Sequence, residues 1–421
     1  MIRRWQAALV VALLMPAALR AQSGQAPGSN EHWVTTWATA QQLAPTRLPF
    51  GRGELVQPPP AVRVPATLKD QTIRMIVHAS LGGRRVRVSL ANALEKPTLK
   101  LGAAHIALRA AGAGIVPASD RALTFGGRPS TVVPPGTMVV SDPVELTVPA
   151  LADLAVSIYV PESTGLPTVH PDGMHTGYIT SGNTTGSATV KADATTTAYL
   201  WLGSVDVLAP AETGAVVTFG DSITDGVGAT LDTDRAWPSL LAPALAAGPG
   251  ARSVVNTGLS GNRLLRPGFG VSALARFDRD VLGHAGVRWM TVMLGINDIT
   301  FPAVPGAAPD NAVTADDLIW GLQQIIERAH RHGIKVAGAT IMPVEGVNTY
   351  TDAGERIRQD VNRWIRTGKA YDAVIDFDAA VRDPGHPGRL RADFDPGDHV
   401  HPNDAGNRAM AAAIDASIFR R

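Results

Sequence analysis

After Pro210 the hydrophobic pattern of this 421-residue chain changes period, and no fold of a single class accommodates the change. From there on, short apolar segments of strand length alternate with longer stretches of helical spacing. Strands are expected at residues 215–219, 253–256, 289–294, 335–340 and 373–376, with helices at 237–246, 272–282, 314–332, 352–367 and 403–418. In the third helix Leu318, Leu322, Ile325, Ile326 and Ala329 recur at the spacing that lines one helical face. Thr314, with Asp317 three residues on, marks its start as a capping box, although aspartate is a weaker partner there than glutamate. Strands and helices in alternation give an α/β unit over 210–421, a mostly parallel five-stranded sheet covered on both faces.

The region before Pro210 reads differently. Residues 72–78, 85–90 and 154–159 are short strand candidates, with turn signals at Gly82-Gly83, Gly126-Gly127, Pro134-Pro135-Gly136, Pro161 and Pro171-Asp172-Gly173. Arg85, Arg87 and Ser89 alternate with Val86, Val88 and Leu90, the mark of a strand with one wet face. No amphipathic helix of ordinary length interrupts, so an all-β sandwich of antiparallel sheets, jelly-roll-like, is expected over 31–209. Trp33, Trp37, His170, His175 and Tyr178 are residue types that line sugar-binding surfaces or cleft edges. For the tryptophans, packing in the core or at a domain interface is the favoured reading. Residues 181–197, rich in Thr, Ser and Gly, read as a flexible excursion.

Residues 1–22 have the three parts of an export signal: Arg3 and Arg4, an apolar run over 7–19, and the small residue Ala21 near the cleavage point. The run is shorter than the roughly 20 residues that span a bilayer and contains Pro16, which argues for a cleaved signal rather than an anchor. Residues 23–30 form a polar tether. A secreted or periplasmic protein with no stable membrane insertion after cleavage is expected. The absence of cysteine excludes disulfides, thiol nucleophiles and cysteine metal sites, and a formal net charge of +1 leaves no nucleic-acid footprint.

In an open parallel sheet the loops leaving the carboxyl ends of the strands gather along one edge. Four such loops carry chemistry: Gly220-Asp221-Ser222, Gly258 to Arg263 with Gly261 inside it, Gly295-Ile296-Asn297-Asp298, and Asp398-His399-Val400-His401-Pro402. Gly220 permits a tight turn that holds the Ser222 hydroxyl clear of the strand. A serine hydroxyl needs a base, and His401 is preferred, with Asp398 three residues earlier to orient its ring; His399 is a rival that spacing barely separates. The Asn297 amide and the backbone N–H groups of Gly261 and Ser222 are candidate oxyanion donors. Asp221 and Asp298 read as loop braces, and Asp225 stays unassigned. His399 and His401 lack further ligands at metal-binding spacing, so neither a metal nor a cofactor is expected.

Taken in order, Gly220-Asp221-Ser222-Ile223, Gly261, Gly295-Ile296-Asn297-Asp298 and Asp398 to Pro402 resemble the four blocks of the SGNH superfamily, the GDSL-type hydrolases. The resemblance spans about residues 214–420, with isoleucine where the family's name has leucine. It implies a flavodoxin-like three-layer fold with Ser222 as nucleophile, His401 rather than His399 as base and Asp398 orienting it. The oxyanion hole would be made by Ser222, Gly261 and Asn297. Residues 33–37, 74–92, 134–143 and 156–161 resemble the β-sandwich that precedes this domain in a group of secreted bacterial esterases. Together they imply a cofactor-free serine esterase on small-molecule or glycan esters, with short acyl groups, acetyl above all, on carbohydrates. A lipase or thioesterase for longer chains, and a non-catalytic carbohydrate-binding protein, are the alternatives. Loops 302–311 and 342–350 are expected to shape the acyl pocket.

Overall fold

In the computed structural model of the chain, residues 30–43, 64–93, 98–304, 307 and 312–420 are described. The expected export signal and nearly all of the tether lie outside these residues, as does part of loop 302–311.

Five strands follow Pro210: β1 (Gly214–Gly220), β2 (Arg252–Gly258), β3 (Val287–Met293), β4 (Lys335–Ala339) and β5 (Ala373–Ile375). They pair in the order β2-β1-β3-β4-β5, all parallel. Every residue of β1 is buried, as a central strand between covering layers demands. This is the flavodoxin-like order, whose ligand crevice opens outside the carboxyl ends of β1 and β3, where the winding reverses. Ser222 follows β1 by two residues and therefore sits at that crevice.

The helix Ala315–Arg331 buries Leu318, Leu322, Ile325, Ile326 and Ala329, and its capping box closes in both directions. Asp317 N donates to Thr314 Oγ1 at 3.2 Å and Thr314 N donates to Asp317 Oδ2 at 2.8 Å, so the shorter carboxylate does reach. Two expected helices break up. The first is an α-helix over Ala273–Phe277 continued by a π-helical turn, Asp278–Leu282. The last stops at Asp404–Ala412 and is followed by a 3₁₀ segment, Ala416–Arg420.

Ahead of the parallel sheet lie, among the described residues, two smaller antiparallel sheets of three and two strands and two large ones. One runs Glu31–Ala38, Leu202–Pro210, Gly83–Asn92, Val144–Val148, with Thr137–Val140 also paired to Gly83–Asn92. The other runs Ala194–Thr196, Gly177–Ser181, Gln71–Ala79, Ala152–Val160, Ala103–Leu108, Arg121–Ala122. Val86, Val88 and Val205 from the first sheet share a core with Met75, Val77 and Val156 from the second, the face-to-face packing of a sandwich. The fully buried Arg74 pins the excursion over 181–197 by donating to the carbonyls of Thr184, Thr185 and Ser187.

The sandwich also covers the β2 edge of the parallel sheet. Ser253 Oγ donates to Thr35 O at 2.6 Å, and Val254 N donates to Ser80 Oγ at 3.0 Å. An edge strand that would otherwise offer bare N–H groups is thereby satisfied. From Glu31 on, the chain forms one compact unit with a shared core. Among the described residues, no helix is long and apolar enough to cross a membrane.

Candidate active site

The turn after β1 is set by close approach. A Cβ on Gly220 would stand 2.1 Å from Thr224 Oγ1, and one on Gly258, at the end of β2, 2.2 Å from Asp225 N. With neither present, β1 passes directly into the one-turn helix Ser222–Asp225. Asp221 is its extended N-cap and accepts from Ile223 N at 3.1 Å. Ser222 takes the first helical position, where the backbone N–H has no partner within the helix.

The second half of the constellation comes from 179 residues further along. Asp398 Oδ1 accepts from Val400 N and His401 N, each at 2.9 Å, and this turn presents the His401 ring. Nδ1 of that ring lies 2.7 Å from Asp398 Oδ2, and Nε2 lies 2.8 Å from Ser222 Oγ. With the proton on Nδ1 directed at the carboxylate, Nε2 accepts from the hydroxyl, the tautomer these partners select. Burial pushes the Asp398 carboxyl up, but the N–H groups of His401 and Val400 outweigh it and hold the group well below the ordinary carboxylate range. Gly228, at φ +93°, lets the loop after the Ser222 helix pack on His401, and Thr230 N and Oγ1 donate to Asp404 at 2.8 Å. His399 is turned elsewhere. Its Nδ1 pairs with Asp395 Oδ2 at 2.5 Å and its ring packs on Gly346.

Two further loops stand beside the hydroxyl's turn. Asn297 lies in the one-turn helix Ile296–Thr300, entered through Gly295 at φ +124°, and its side-chain amide donates to Asn262 O at 3.0 Å. Gly261, at φ +69°, is backed by the Phe269 ring, which a Cβ would meet at 2.2 Å. Asp298, wholly buried, stitches the two loops by accepting from Leu264 N at 2.6 Å and Leu265 N at 3.1 Å. Burial pushes the Asp298 carboxyl up to about 6 against those bonds. It pushes Asp221 up to about 7 against the Ile223 N–H and the His401 ring.

Asp225, unassigned from sequence, holds a buried network at the join with the sandwich. Its Oδ1 lies 2.8 Å from His170 Nε2, and its Oδ2 accepts from Ser260 N and Oγ at 3.0 Å. His170 Nδ1 lies 2.7 Å from Ala40 O; burial lowers the ring's basicity, but the charge and hydrogen bond of Asp225, the charge of Asp172 and the Ala40 carbonyl together raise it. The neighbouring Asp172 is pushed up by burial and by Asp225, and drawn back by Ser260, His170 and His401. Sequence marks His170 only as a candidate for a sugar surface or cleft edge, and its pairing with Asp225 is not legible there, since the partners are 55 residues apart. Of the candidates for a sugar surface, two are buried, while Trp33, Trp37 and Tyr178 are half-buried. Trp37 meets Tyr199 edge-on at 4.7 Å, Trp33 lies under Arg87 at 4.5 Å, and His170 and His175 are buried.

The chain is thus an α/β unit whose mostly parallel, flavodoxin-like sheet carries these loops at its switch point, preceded by antiparallel sheets that form a sandwich. Residues 218–409, the part of the chain that carries the parallel sheet and its loops, match the model of the GDSL-like Lipase/Acylhydrolase family. Among curated proteins, none matches the chain. Solved structures similar to it include the M. smegmatis aryl esterase, 17% identical, covering 48% of this chain and 95% of that one, with a TM-score of 0.38. A carbohydrate acetylesterase family member from Sinorhizobium meliloti is 18% identical over 49% of this chain and 97% of its own, with a TM-score of 0.38. A variant of the acetyl xylan esterase Axe2 from Geobacillus stearothermophilus is 22% identical over 48% and 94%, with a TM-score of 0.37. The substrates in those names are those proteins' own.

Proposed function

We propose that the protein is an exported serine esterase that cleaves carboxylic esters by a two-step acyl transfer. The observation that carries the reading is the hydrogen-bonded line from Ser222 Oγ through both nitrogens of His401 to Asp398, at 2.8 and 2.7 Å. Ser222 Oγ attacks the ester carbonyl while His401 Nε2 takes its proton, and the same proton then goes to the departing alcohol. Water, deprotonated by His401, hydrolyses the acyl-enzyme and returns the hydroxyl to Ser222. Asp398 holds the ring in the right tautomer and offsets the positive charge it gains. The N–H groups of Ser222 and Gly261 and the Asn297 amide receive the charge that develops on the carbonyl oxygen. Each step needs only a proton acceptor and hydrogen-bond donors. A fluorophosphonate probe should label the parent stoichiometrically and leave Ser222→Ala unlabelled; equal labelling of both would remove the assignment.

For substrate, the reading is a short acyl group, acetyl above all, on a carbohydrate. The polar groups around His401 support an alcohol rich in hydroxyls: Ser260 and Asp172 stand there, brought together by the Pro171 turn of the sandwich. In a series of p-nitrophenyl esters, kcat/KM should fall from acetate to octanoate, and acetylated xylan should release acetate. A rate that climbs with chain length would favour a lipase. The first 22 residues are read as the export signal. Amino-terminal sequencing of the exported protein should find a start near residue 23.

A further inference from the structure

A second cluster of titratable groups occupies the junction between the sandwich and the loop that leaves the Ser222 helix. His78 and Asp153 stand directly opposite each other on the paired strands Gln71–Ala79 and Ala152–Val160. His78 Nδ1 lies 2.8 Å from Asp153 Oδ1 and 3.5 Å from Asp234 Oδ2, and the three donor atoms fall within 4.8 Å of one another. The second oxygen of each carboxylate is taken by a basic side chain. Arg109 Nη1 lies 3.0 Å from Asp153 Oδ2, and His175 Nε2 lies 2.9 Å from Asp234 Oδ1. His78, His175 and Asp234 also line a cavity of about 80 Å³.

Charge and hydrogen bonding in this cluster are both unbalanced. Asp153, Asp232 and Asp234 face one guanidinium, Arg109, since the nearby Arg235 is engaged by Asp404. The cluster therefore holds three carboxylates to one guanidinium. His175 is 7% exposed, yet its Nδ1 makes no hydrogen bond and stands 3.6 Å from Asp232 Oδ1.

We propose that His78 Nδ1, Asp153 Oδ1 and Asp234 Oδ2 form a divalent-cation site suited to Zn²⁺, with the fourth position open to the cavity. Bonds of about 2.0–2.2 Å in a tetrahedron set donor atoms about 3.3–3.6 Å apart. The His78–Asp234 separation already matches, and the His78–Asp153 contact needs to open by about half an ångström. Carboxylates whose free oxygens are fixed by a second layer of hydrogen bonds are the usual support of such ligands. One imidazole among the donors favours zinc over calcium or magnesium, which take oxygen ligands. The ion would join two sandwich strands to the segment that carries Gly228 against His401 and Thr230 onto Asp404. Its role is to fix that segment, not to take part in the ester chemistry.

Isothermal titration of Zn²⁺ into the chelator-treated full chain should give one saturable site per molecule and a higher Tm, with much weaker Ca²⁺ binding. Asp234→Asn and His78→Gln should each weaken Zn²⁺ binding by at least about tenfold, while Ser222→Ala binds as the parent does. Co²⁺ bound to the unmutated protein should show the absorption of a four-coordinate nitrogen–oxygen site, a readout that needs no variant to fold. Absence of saturable Zn²⁺ binding, tighter binding of Ca²⁺, or Zn²⁺ binding undiminished in both variants would overturn the proposal. Loss of esterase activity in Ser222→Ala with Zn²⁺ binding intact separates this proposal from the catalytic one.

Discussion

Asp221 is the residue at which burial and catalysis meet most closely, because its carboxyl, pushed up to about 7, stands within reach of the His401 charge. In the unfolded chain the same carboxyl titrates near its ordinary value, so between that pH and about 7 the folded state binds more protons. The stability contributed by protonated Asp221 is therefore full at low pH and lost as pH rises through about 7, at roughly 1.4 kcal/mol per unit of the interval. Asp221→Asn cannot ionise, so its stability relative to the parent should rise between about pH 5 and pH 8; urea unfolding at both pH values measures this, and a constant difference would contradict it. Ser222→Ala and His401→Ala should each lower kcat by about 10⁴–10⁶ with the circular dichroism spectrum unchanged. His399→Ala should stay within about threefold, because His399 is paired with Asp395 rather than with the serine. Steady-state kinetics on one ester compares all three, and a larger loss in His399→Ala than in His401→Ala would exchange their roles. Asn297→Ala should cost about 10²–10³ in kcat, the usual loss for one oxyanion donor.

At the scale of elements, the long regular pieces were legible and the one-turn helices beside the candidate site were not. The helix Ala315–Arg331 declares itself through five buried apolar residues at helical spacing, and its Thr314 cap can be read from the chain. The helices Ser222–Asp225 and Ile296–Thr300 are too short to carry a period. They exist because glycines let a strand end and a turn approach more closely than any side chain allows. Loops bearing Ser222, Gly261, Asn297 and His401 were found from residue chemistry and family resemblance, whereas Asp225 and its partner His170 belong to a long-range contact that no local pattern encodes. Gly258→Ala tests the close approach directly. The new methyl would meet the Asp225 backbone at 2.2 Å, an atom that cannot swing aside. We expect about 1–3 kcal/mol of destabilisation, with a fall in kcat as the Ser222 turn is displaced. Gly333→Ala, where a Cβ meets nothing within 4 Å, carries only the strain of its φ of +69° and should leave kcat unchanged. Thermal unfolding and kinetics on the pair decide it: equal kcat in both would mean that the turn tolerates the shift.

The change of period at Pro210 separates two architectures in sequence, yet in the whole molecule they share an edge, a core and a buried ion pair. The β2 edge depends on Thr35 and Ser80 for hydrogen bonds, and Asp225, the last residue of the Ser222 helix, depends on His170. Neither partner of the His170–Asp225 pair has water to fall back on, since their side chains are 3% and 4% exposed. Removing one partner of such a pair leaves an uncompensated buried charge and costs about 3–5 kcal/mol. The consequence is that the sandwich and the parallel sheet should unfold together. Calorimetry on the intact chain should give one transition, coincident with loss of esterase activity, and His170→Ala should move that whole transition to lower temperature. If the sandwich were only an appended module, heating would give two transitions, and His170→Ala would shift at most one of them while turnover survived the first. A single shifted transition would mean that the sandwich is part of what holds the Ser222 helix in place, so that a binding function for it, if one exists, is added to a structural one.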